Sequence, residues 1–413
     1  MTPLRICFVT TFYPPFNFGG DGIQVQRLAR GVARFGHDVT VVHDADAFAV
    51  LADGARPEPA PPDPTGVQVV TLRSRLPHLS TLLTQQTGYP LVNRARLRQL
   101  LGQSRFDVIA FNNVSLIGGP GLLGYGGSAA TLYMAHEHWL VCPTHVLWRH
   151  ARERCDSQQC FRCQLHYRRP PQLWRHTGLL ARQLDHIDVF IAMSSFSRDK
   201  HREFGFPRDM AVLPCFTESA LPEPGAAAPP RPHARPYFLF VGRLERIKGL
   251  DDVITAFTEY EDADLLVIGD GGHGPELRRQ AAGNPRIHFL GRMTVEDLAP
   301  YYRHAIALVV PSVAYETFGM TVIEAFSYET PVVARRLGPL PELIEGSGGG
   351  ELFETGPELV SALRALQSSP ARRAALGRAG RQAVTLQWSE TAVVARFLDL
   401  VDQARAKRAA RLH

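Results

Sequence analysis

At 413 residues with 45% hydrophobic residues, the chain is long enough for two domains that each bury their own core, and a disordered chain is excluded. Its formal charge of +5, from 45 Lys and Arg against 40 acidic residues, is scattered without basic blocks or aromatic-basic interleaving; this argues against a nucleic-acid binder and suits an enzyme that handles diphosphates or touches an anionic membrane face. No run of about eighteen apolar residues occurs, and Met1 leads straight into Leu4-Arg5-Ile6-Cys7-Phe8-Val9 without the basic, apolar and small segments of a signal, so the expectation is a cytoplasmic protein, neither secreted nor membrane-spanning.

The first half alternates β-rich runs with helical patterns. Leu4 to Thr10, Asp38 to His43, Val67 to Leu72, Asp107 to Phe111, Ala129 to Ala135, Val189 to Met193 and Ala211 to Leu213 have the composition of buried strands. Between the first two, Val25, Leu28, Ala29 and Val32 recur at helical spacing and Gly36 closes the helix. A Pro-rich stretch at 56–64 is expected to be a surface loop, because strand-like sequence resumes at Val67. Residues 218–236 have the Pro and Ala bias of a linker, after which Tyr237 to Val241, Leu265 to Gly269, Ile287 to Leu290, Ala307 to Val310 and Val332 to Arg335 restart the alternation. Strand, helix, strand in series implies parallel sheets covered on both faces. The expected domains are therefore 1–217, with a cysteine-rich insert at 141–170, then the linker, then 237–386. From Ala371 to Leu412 the chain is helical, and its last helix, at 387–413, is expected to cross back to the first domain.

In open parallel sheets ligands sit at the carboxyl ends of strands, where loops enter helices and unpaired N–H groups face anions. After the first strand comes a glycine-rich loop ending in Gly19-Gly20-Asp21-Gly22, which opens into a helix expected near Ile23 and lets the backbone approach a phosphate; a flexible turn is the plainer alternative. Beyond the first strand of the second half, Gly242-Arg243-Leu244-Glu245-Arg246-Ile247-Lys248-Gly249 puts Arg243 and Lys248 at a helix entrance, where they can clamp a diphosphate or serve as a solvated basic turn. Gly269-Asp270-Gly271-Gly272 supplies bare backbone at the same end of the sheet. In Pro311-Ser312-Val313-Ala314-Tyr315-Glu316-Thr317-Phe318-Gly319-Met320-Thr321-Val322-Ile323-Glu324, a helix opened by Gly319 leaves Glu316 in the loop and Glu324 about a turn and a half inside. The amides of Phe318, Gly319, Met320 and Thr321 are then the unpaired N-terminal donors. Both carboxylates also suit the positive end of a helix dipole.

Glu316 and Glu324, taken with Gly242-Arg243, Lys248-Gly249, Gly269-Asp270-Gly271, Pro311-Ser312, Gly19-Gly20 and Gly338-Pro339-Leu340-Pro341-Glu342, resemble glycosyltransferase family 4. The resemblance runs over nearly the whole chain, closely in the second half and more loosely in the first. It implies the GT-B fold, two doubly wound Rossmann-like α/β domains facing a cleft, and a retaining transfer from a nucleoside-diphosphate sugar, UDP- or GDP-linked, to a hydroxyl acceptor. By the same resemblance Arg243 and Lys248 hold the diphosphate, together with the backbone at Gly271 and at Phe318 to Thr321. Glu324 takes the ribose, Glu316 the sugar hydroxyls, and the backbone at Gly19 and Gly20 approaches the phosphates from the other domain. His136, at the end of the Ala129 to Ala135 strand, is placed against the donor sugar; Glu137 departs from the Asp often found next in relatives. With Arg and Lys on the leaving diphosphate, no catalytic metal is required. Asp44-Ala45-Asp46 resembles a metal motif of the other large glycosyltransferase fold, but it follows the second strand of a doubly wound domain and is not expected to bind one.

Cys142, Cys155, Cys160 and Cys163 cluster in the insert, and a chain from a reducing compartment points to a structural Zn²⁺ rather than disulfides, with His145, His150 or His166 able to replace one thiolate and free thiols as the alternative. Some relatives with a His-x-x-Trp run before Cys-Pro, as in His136 to Pro143, also carry downstream cysteines. Cys7 and Cys215 are expected in the core. Asn93 to Arg105 is basic and amphipathic, which suggests peripheral docking on an anionic membrane at the inner face. An epimerase or phosphorylase on the same frame and an inactive nucleotide-sugar sensor are the rival readings. Acceptor identity and oligomeric state are not written in any motif.

Overall fold

The computed structural model describes residues 2–52, 54, 56–57, 63–102, 105–217 and 230–412. The chain divides into two compact units, Met1–Cys215 with Glu390–His413, and Phe216–Ser389. Of the expected linker at 218–236, residues 218–229 lie outside the described residues, as do 58–62 of the Pro-rich stretch at 56–64.

The first unit is built on β1 (Arg5–Thr10), β2 (Asp38–Asp44), β3 (Val67–Leu72), β4 (Val108–Phe111), β5 (Ala130–Ala135), the short hairpin strands β6 (Trp148–Arg149) and β7 (Glu153–Arg154), β8 (Val189–Ala192) and β9 (Met210–Val212). Seven of them form one parallel sheet in the order β3-β2-β1-β4-β5-β8-β9. Apart from Arg5 the first strand is buried along its length, as a strand with helices on both faces must be. Order reverses between β1 and β4, which makes the ends of those two strands the crevice where ligands bind in such sheets.

The second unit contains β10 (Tyr237–Val241), β11 (Asp264–Ile268), β12 (Ile287–Gly291), β13 (Leu308–Val310), β14 (Val332–Arg335) and β15 (Gly350–Phe353), parallel in the order β12-β11-β10-β13-β14-β15. Here the reversal lies between β10 and β13. The last strand was not among the sequence expectations: Gly349-Gly350-Glu351-Leu352-Phe353 carries few β-formers, and its pairing with β14 decides its state.

The C-terminal segment is two helices, Pro370–Gln387 and Glu390–Leu412, broken at Trp388 and Ser389. The second belongs to the first unit. Val393, Val394, Phe397, Leu398, Leu400, Val401 and Ala404 form its buried face, and Phe397 stacks on Phe8 of β1 with ring centroids 5.7 Å apart. Arg34 pairs with Glu390 at one end. At the other, Arg408 Nε lies 2.9 Å and Arg411 Nη1 3.2 Å from the fully buried carboxylate of Asp188.

One sequence expectation, the docking helix, changes in detail. The basic amphipathic helix spans Arg94–Leu101, and its apolar residues Leu97 and Leu101 are buried in the core of the first unit, so the face expected to meet a membrane is already covered. Residues 103–104 of that stretch lie outside the described residues. Asp44 caps the helix Ala45–Leu51 by accepting the Asp46 amide at 2.9 Å, and Asp46 accepts the Ser74 amide at 3.0 and 3.1 Å. Both carboxylates serve the backbone there, and burial pushes the Asp44 carboxyl up to about 7.

Candidate functional site

In the second unit the residues singled out by sequence gather at the β10/β13 reversal. The loop after β10 carries Arg243 and Lys248; the loop after β13 carries Ser312 and Glu316. Backbone bonds tie the two together, since the amides of Val313 and Ala314 donate to Ile247 O at 2.9 and 3.4 Å. Gly249 makes this approach possible: φ is +67°, and a Cβ there would stand 2.2 Å from Pro311 O. A similar crossing joins the loops after β10 and β11. Gly269 has φ +141°, and a Cβ would stand 1.8 Å from Gly242 O. The Leu244 amide donates to Asp270 O and the His273 amide to Leu244 O, both at 2.9 Å, which draws Gly271 to the same end of the sheet.

The result is a charged pair across the crevice. Lys248 Nζ lies 3.0 Å from Glu316 Oε1, and the Ser312 hydroxyl donates to the same oxygen. Burial pushes the Glu316 carboxyl up, but Lys248, the Ser312 hydroxyl and Arg243 outweigh it and hold the group below the usual carboxylate range. Glu316 is therefore ionised at neutral pH and accepts hydrogen bonds only. Arg243 is half exposed and pairs with Glu245 at 2.8 Å.

Behind this pair the helix Met320–Ser327 begins, with Gly319, which has no side chain to offer, as its cap. Donors at Phe318, Gly319, Met320 and Thr321 thus accompany the positive end of the helix. Glu324 lies on the same helix, its Oε2 3.3 Å from the Tyr302 hydroxyl. Tyr302 is buried, stacks on Tyr328 at 5.5 Å and accepts from Thr330 Oγ1 on its backbone oxygen, so it fixes where Glu324 can point. Neither Ser312 nor Tyr302 was assigned a role from sequence. Ser312 had a signal, four residues ahead of Glu316 in the same motif; Tyr302, far away along the chain, had none.

In the first unit the helix after β1 spans Gly20–Arg34, beginning at Gly20 rather than near Ile23, with Gly19 as its extended cap. Asp21 in the first turn favours the early start. Asp21 Oδ2 accepts from Asn113 Nδ2 at 3.2 Å, and Asn113, at the end of β4, also accepts from the Ser115 hydroxyl at 2.7 Å. His136 follows β5, and its Nε2 lies 3.0 Å from Asn112 Oδ1. Because the Asn112 amino group is spent on Ala110 O at 3.0 Å, Nε2 is the protonated nitrogen. Burial drives His136 down to about 4 against the opposing pull of Asp21, so the imidazole is neutral at ordinary pH. Asn112, Asn113 and Asp21 were not anticipated; the strand order brings them together with His136. Glu137 pairs with His145 Nδ1 at 2.7 Å.

The cysteine-rich insert holds the β6–β7 hairpin and the helix Cys160–His166. Cys142, Cys155, Cys160 and Cys163 line one small cavity, and all four are free thiols. His150 and His166 stack on each other at 4.6 Å and do not line that cavity, nor does His145. Cys7 and Cys215 are buried.

A family model described as Glycosyltransferase Family 4 matches residues 18–220, and one described as Glycosyl transferases group 1 matches 235–369. The D-inositol 3-phosphate glycosyltransferase of Corynebacterium kroppenstedtii is 34% identical over 170 residues, 37% of this chain and 38% of that protein. The matched stretches span between 30% and 66% of the first curated relatives. Among solved structures, the sucrose-phosphate synthase of Thermosynechococcus elongatus has a TM-score of 0.72 at 22% identity, covering 98% of this chain and 99% of that one. Anabaena HepE in complex with UDP-glucose has a TM-score of 0.67 at 17% identity, covering 97% and 99%. The fold is that of the GT-B glycosyltransferases.

Proposed function

This chain belongs to glycosyltransferase family 4, and from that premise we propose that it moves a glycosyl group from a nucleoside-diphosphate sugar to a hydroxyl acceptor with retention at the anomeric carbon. The observation that carries the reading is the Lys248–Glu316 pair beside the N-terminus of the Met320–Ser327 helix at the strand-order reversal.

Each group has a distinct task. Lys248 presents a point charge and Arg243 a fork to the diphosphate, whose negative charge grows as the glycosidic bond breaks. Together they supply the neutralisation for which other transferases use a divalent ion. The amides around Phe318 to Thr321, with the backbone at Gly271, complete the anion site. Glu316, held ionised, accepts from the hydroxyls of the donor sugar, and Glu324 from those of the ribose. In the first unit, the backbone at Gly19 and Gly20 suits a phosphate, and neutral His136 suits a sugar hydroxyl. The leaving phosphate oxygen takes the acceptor's proton on the face it departs from, which preserves the configuration and needs no side-chain nucleophile.

UDP- and GDP-sugars are the first donors to try; UDP-glucose is the ligand named for the Anabaena neighbour. The acceptor is a glycan, a lipid-linked glycan or a natural product. No helix among the described residues is long and apolar enough to cross a membrane. A peripheral contact with an anionic membrane is supported by Leu76, Leu79, Leu82, Leu91 and Val92, all exposed, beside the exposed Arg75, Arg94 and Arg96.

The test is calorimetric titration with UDP, GDP and their sugars, followed by NMR of the sugar released on slow hydrolysis. Selective binding of one base and release of the sugar with its original anomeric configuration supports the proposal. Release of the opposite anomer refutes retention. Binding with conversion to an isomeric sugar nucleotide selects the epimerase, and binding with no turnover in the presence of acceptors selects the sensor.

A further inference from the structure

The four cysteines of the insert reach their common cavity from three separate pieces of backbone. Cys142 lies in the loop that follows β5, Cys155 directly follows β7, and Cys160 and Cys163 stand one turn apart on the helix Cys160–His166. Besides the thiols, the cavity is lined by Trp148, Arg149 and a few neutral residues, and no carboxylate or imidazole faces it. The backbone around it is unusual. His145, Leu147, His150, Ala151 and Arg168 all have positive φ, a conformation that side-chain-bearing residues adopt only when their surroundings impose it.

Polar groups already point at the sulfurs. The His150 amide donates to Cys163 Sγ at 3.3 Å, and the Thr144 hydroxyl lies 3.3 Å from Cys142 Sγ. Two guanidiniums act on the group: Arg149 on Cys155 and Cys163, and Arg175 on Cys142 and Cys160. Arg175 is held in place by stacking on Trp174 at 4.5 Å and by a bond to Trp139 O at 2.6 Å. Arg149 shares its charge with Glu153 and Asp156.

We propose that Cys142, Cys155, Cys160 and Cys163 bind one zinc ion as four thiolates. Zn²⁺ takes the place of four thiol protons, which leave to solvent, and the resulting centre carries two negative charges, which the two guanidiniums offset; the amide and hydroxyl donors satisfy sulfur lone pairs. An all-sulfur set selects a soft tetrahedral ion, and zinc needs no redox partner to hold it. In a filled centre the sulfurs stand about 3.8 Å apart, from metal–sulfur bonds of about 2.3 Å, whereas no three of these lie within 4.8 Å of one another. Binding therefore draws in the two short pieces that bring Cys155, Cys160 and Cys163, a hairpin of two residues per strand and a helix of seven. The ion so placed fastens the loop that begins at His136 to the rest of the insert.

A second locus must be kept apart from this one. Among the described residues, His233, Asp264 and His288 are the one set of three ligand atoms within 4.8 Å. There Asp264 already accepts from both imidazoles, at 2.7 and 3.0 Å, and Arg235 and Arg286 lie 3.0 and 3.5 Å from its other oxygen. Two guanidiniums beside one carboxylate oppose a divalent cation.

The experiment is elemental analysis of the untagged full chain with X-ray absorption at the zinc edge. Zinc at about one equivalent per chain, in a shell of four sulfurs at about 2.3 Å, is expected. It should persist in the His233→Ala, His288→Ala double variant and disappear in the Cys160→Ser, Cys163→Ser double variant. If the latter does not fold, the absorption spectrum of the parent decides. A folded chain grown with added zinc that holds no metal overturns the proposal. So do iron in place of zinc, a shell of nitrogen and oxygen, zinc that leaves with the histidines, or a mass showing the four thiols oxidised to disulfides.

Discussion

Replacing Lys248 by alanine separates the charge the lysine lends to Glu316 from the charge proposed for the donor. Both partners are only about a quarter exposed, 26% and 21%, at 3.0 Å, so the contact is screened much less than a surface ion pair. A charge-assisted hydrogen bond in such a setting is worth about 1.5–3 kcal/mol. The same cation on a diphosphate oxygen contributes on that scale, and its loss should weaken UDP or GDP binding about 10- to 100-fold. In the variant burial still pushes the Glu316 carboxyl up, opposed now only by the Ser312 hydroxyl and Arg243. In the parent, a carboxyl held below its unfolded value adds stability that is present above that value and lost as pH falls through the folded one. In Lys248→Ala this contribution shrinks or changes sign, so acid unfolding should start at higher pH. Calorimetric titration with UDP and GDP, paired with thermal melts between about pH 3 and pH 7, measures both effects. Nucleotide affinity within about threefold of the parent, in whichever base the parent prefers, would refute the diphosphate clamp. An unchanged acid limb would refute the electrostatic account of Glu316.

Gly269→Ala must place a methyl group against Gly242 O at a φ of +141°, and a loss of about 2–4 kcal/mol in denaturant unfolding is expected. His136 and His43 are both driven down to about 4, chiefly by burial. Between about pH 6.5 and pH 4 the unfolded chain then binds more protons than the folded one. Stability should fall as pH drops through that window, and NMR of the two imidazoles should show them neutral at pH 5. Arg408→Met leaves the buried Asp188 carboxylate with Arg411 and the Thr131 donors alone; a loss of about 1–3 kcal/mol is expected by chemical denaturation. Leu79→Glu with Leu82→Glu should abolish pelleting with anionic vesicles at low salt, and pelleting that survives the pair would count against the docking surface.

Much of the fold was legible because its signals are local. Val67 to Leu72, Tyr237 to Val241 and Val332 to Arg335 are strands with the bounds expected from their composition. The glycines after β11 marked bare backbone at the ligand end of the sheet, but that Gly249 and Gly269 let neighbouring loops close on one another was not read from them. What escaped depends on partners distant in sequence. β15 exists because β14 offers an edge to it, and the arginine helix keeps its leucines for the core because the first unit supplies a place to bury them. At the candidate site the separate motifs were visible, but not that Lys248 and Ser312 meet on one oxygen of Glu316, nor that Tyr302 orients Glu324. A pattern of residue types carries no distances, and only strand order brings such groups together.

The terminal helix Glu390–Leu412 has a consequence for how the protein is made. Residues 5–215 emerge from the ribosome first, yet the ring facing Phe8 and the cations facing Asp188 are encoded more than 170 residues later. The first unit is thus interrupted in sequence by the whole of the second, and during synthesis it waits with a buried-to-be carboxylate and an apolar strand face uncovered. The second unit, contiguous from Phe216 to Ser389, has every element of its sheet in hand as soon as it is made. Sequential synthesis therefore favours completion of the second unit before the unit that precedes it, and a nascent chain halted near residue 389 should attract chaperones through its N-terminal half.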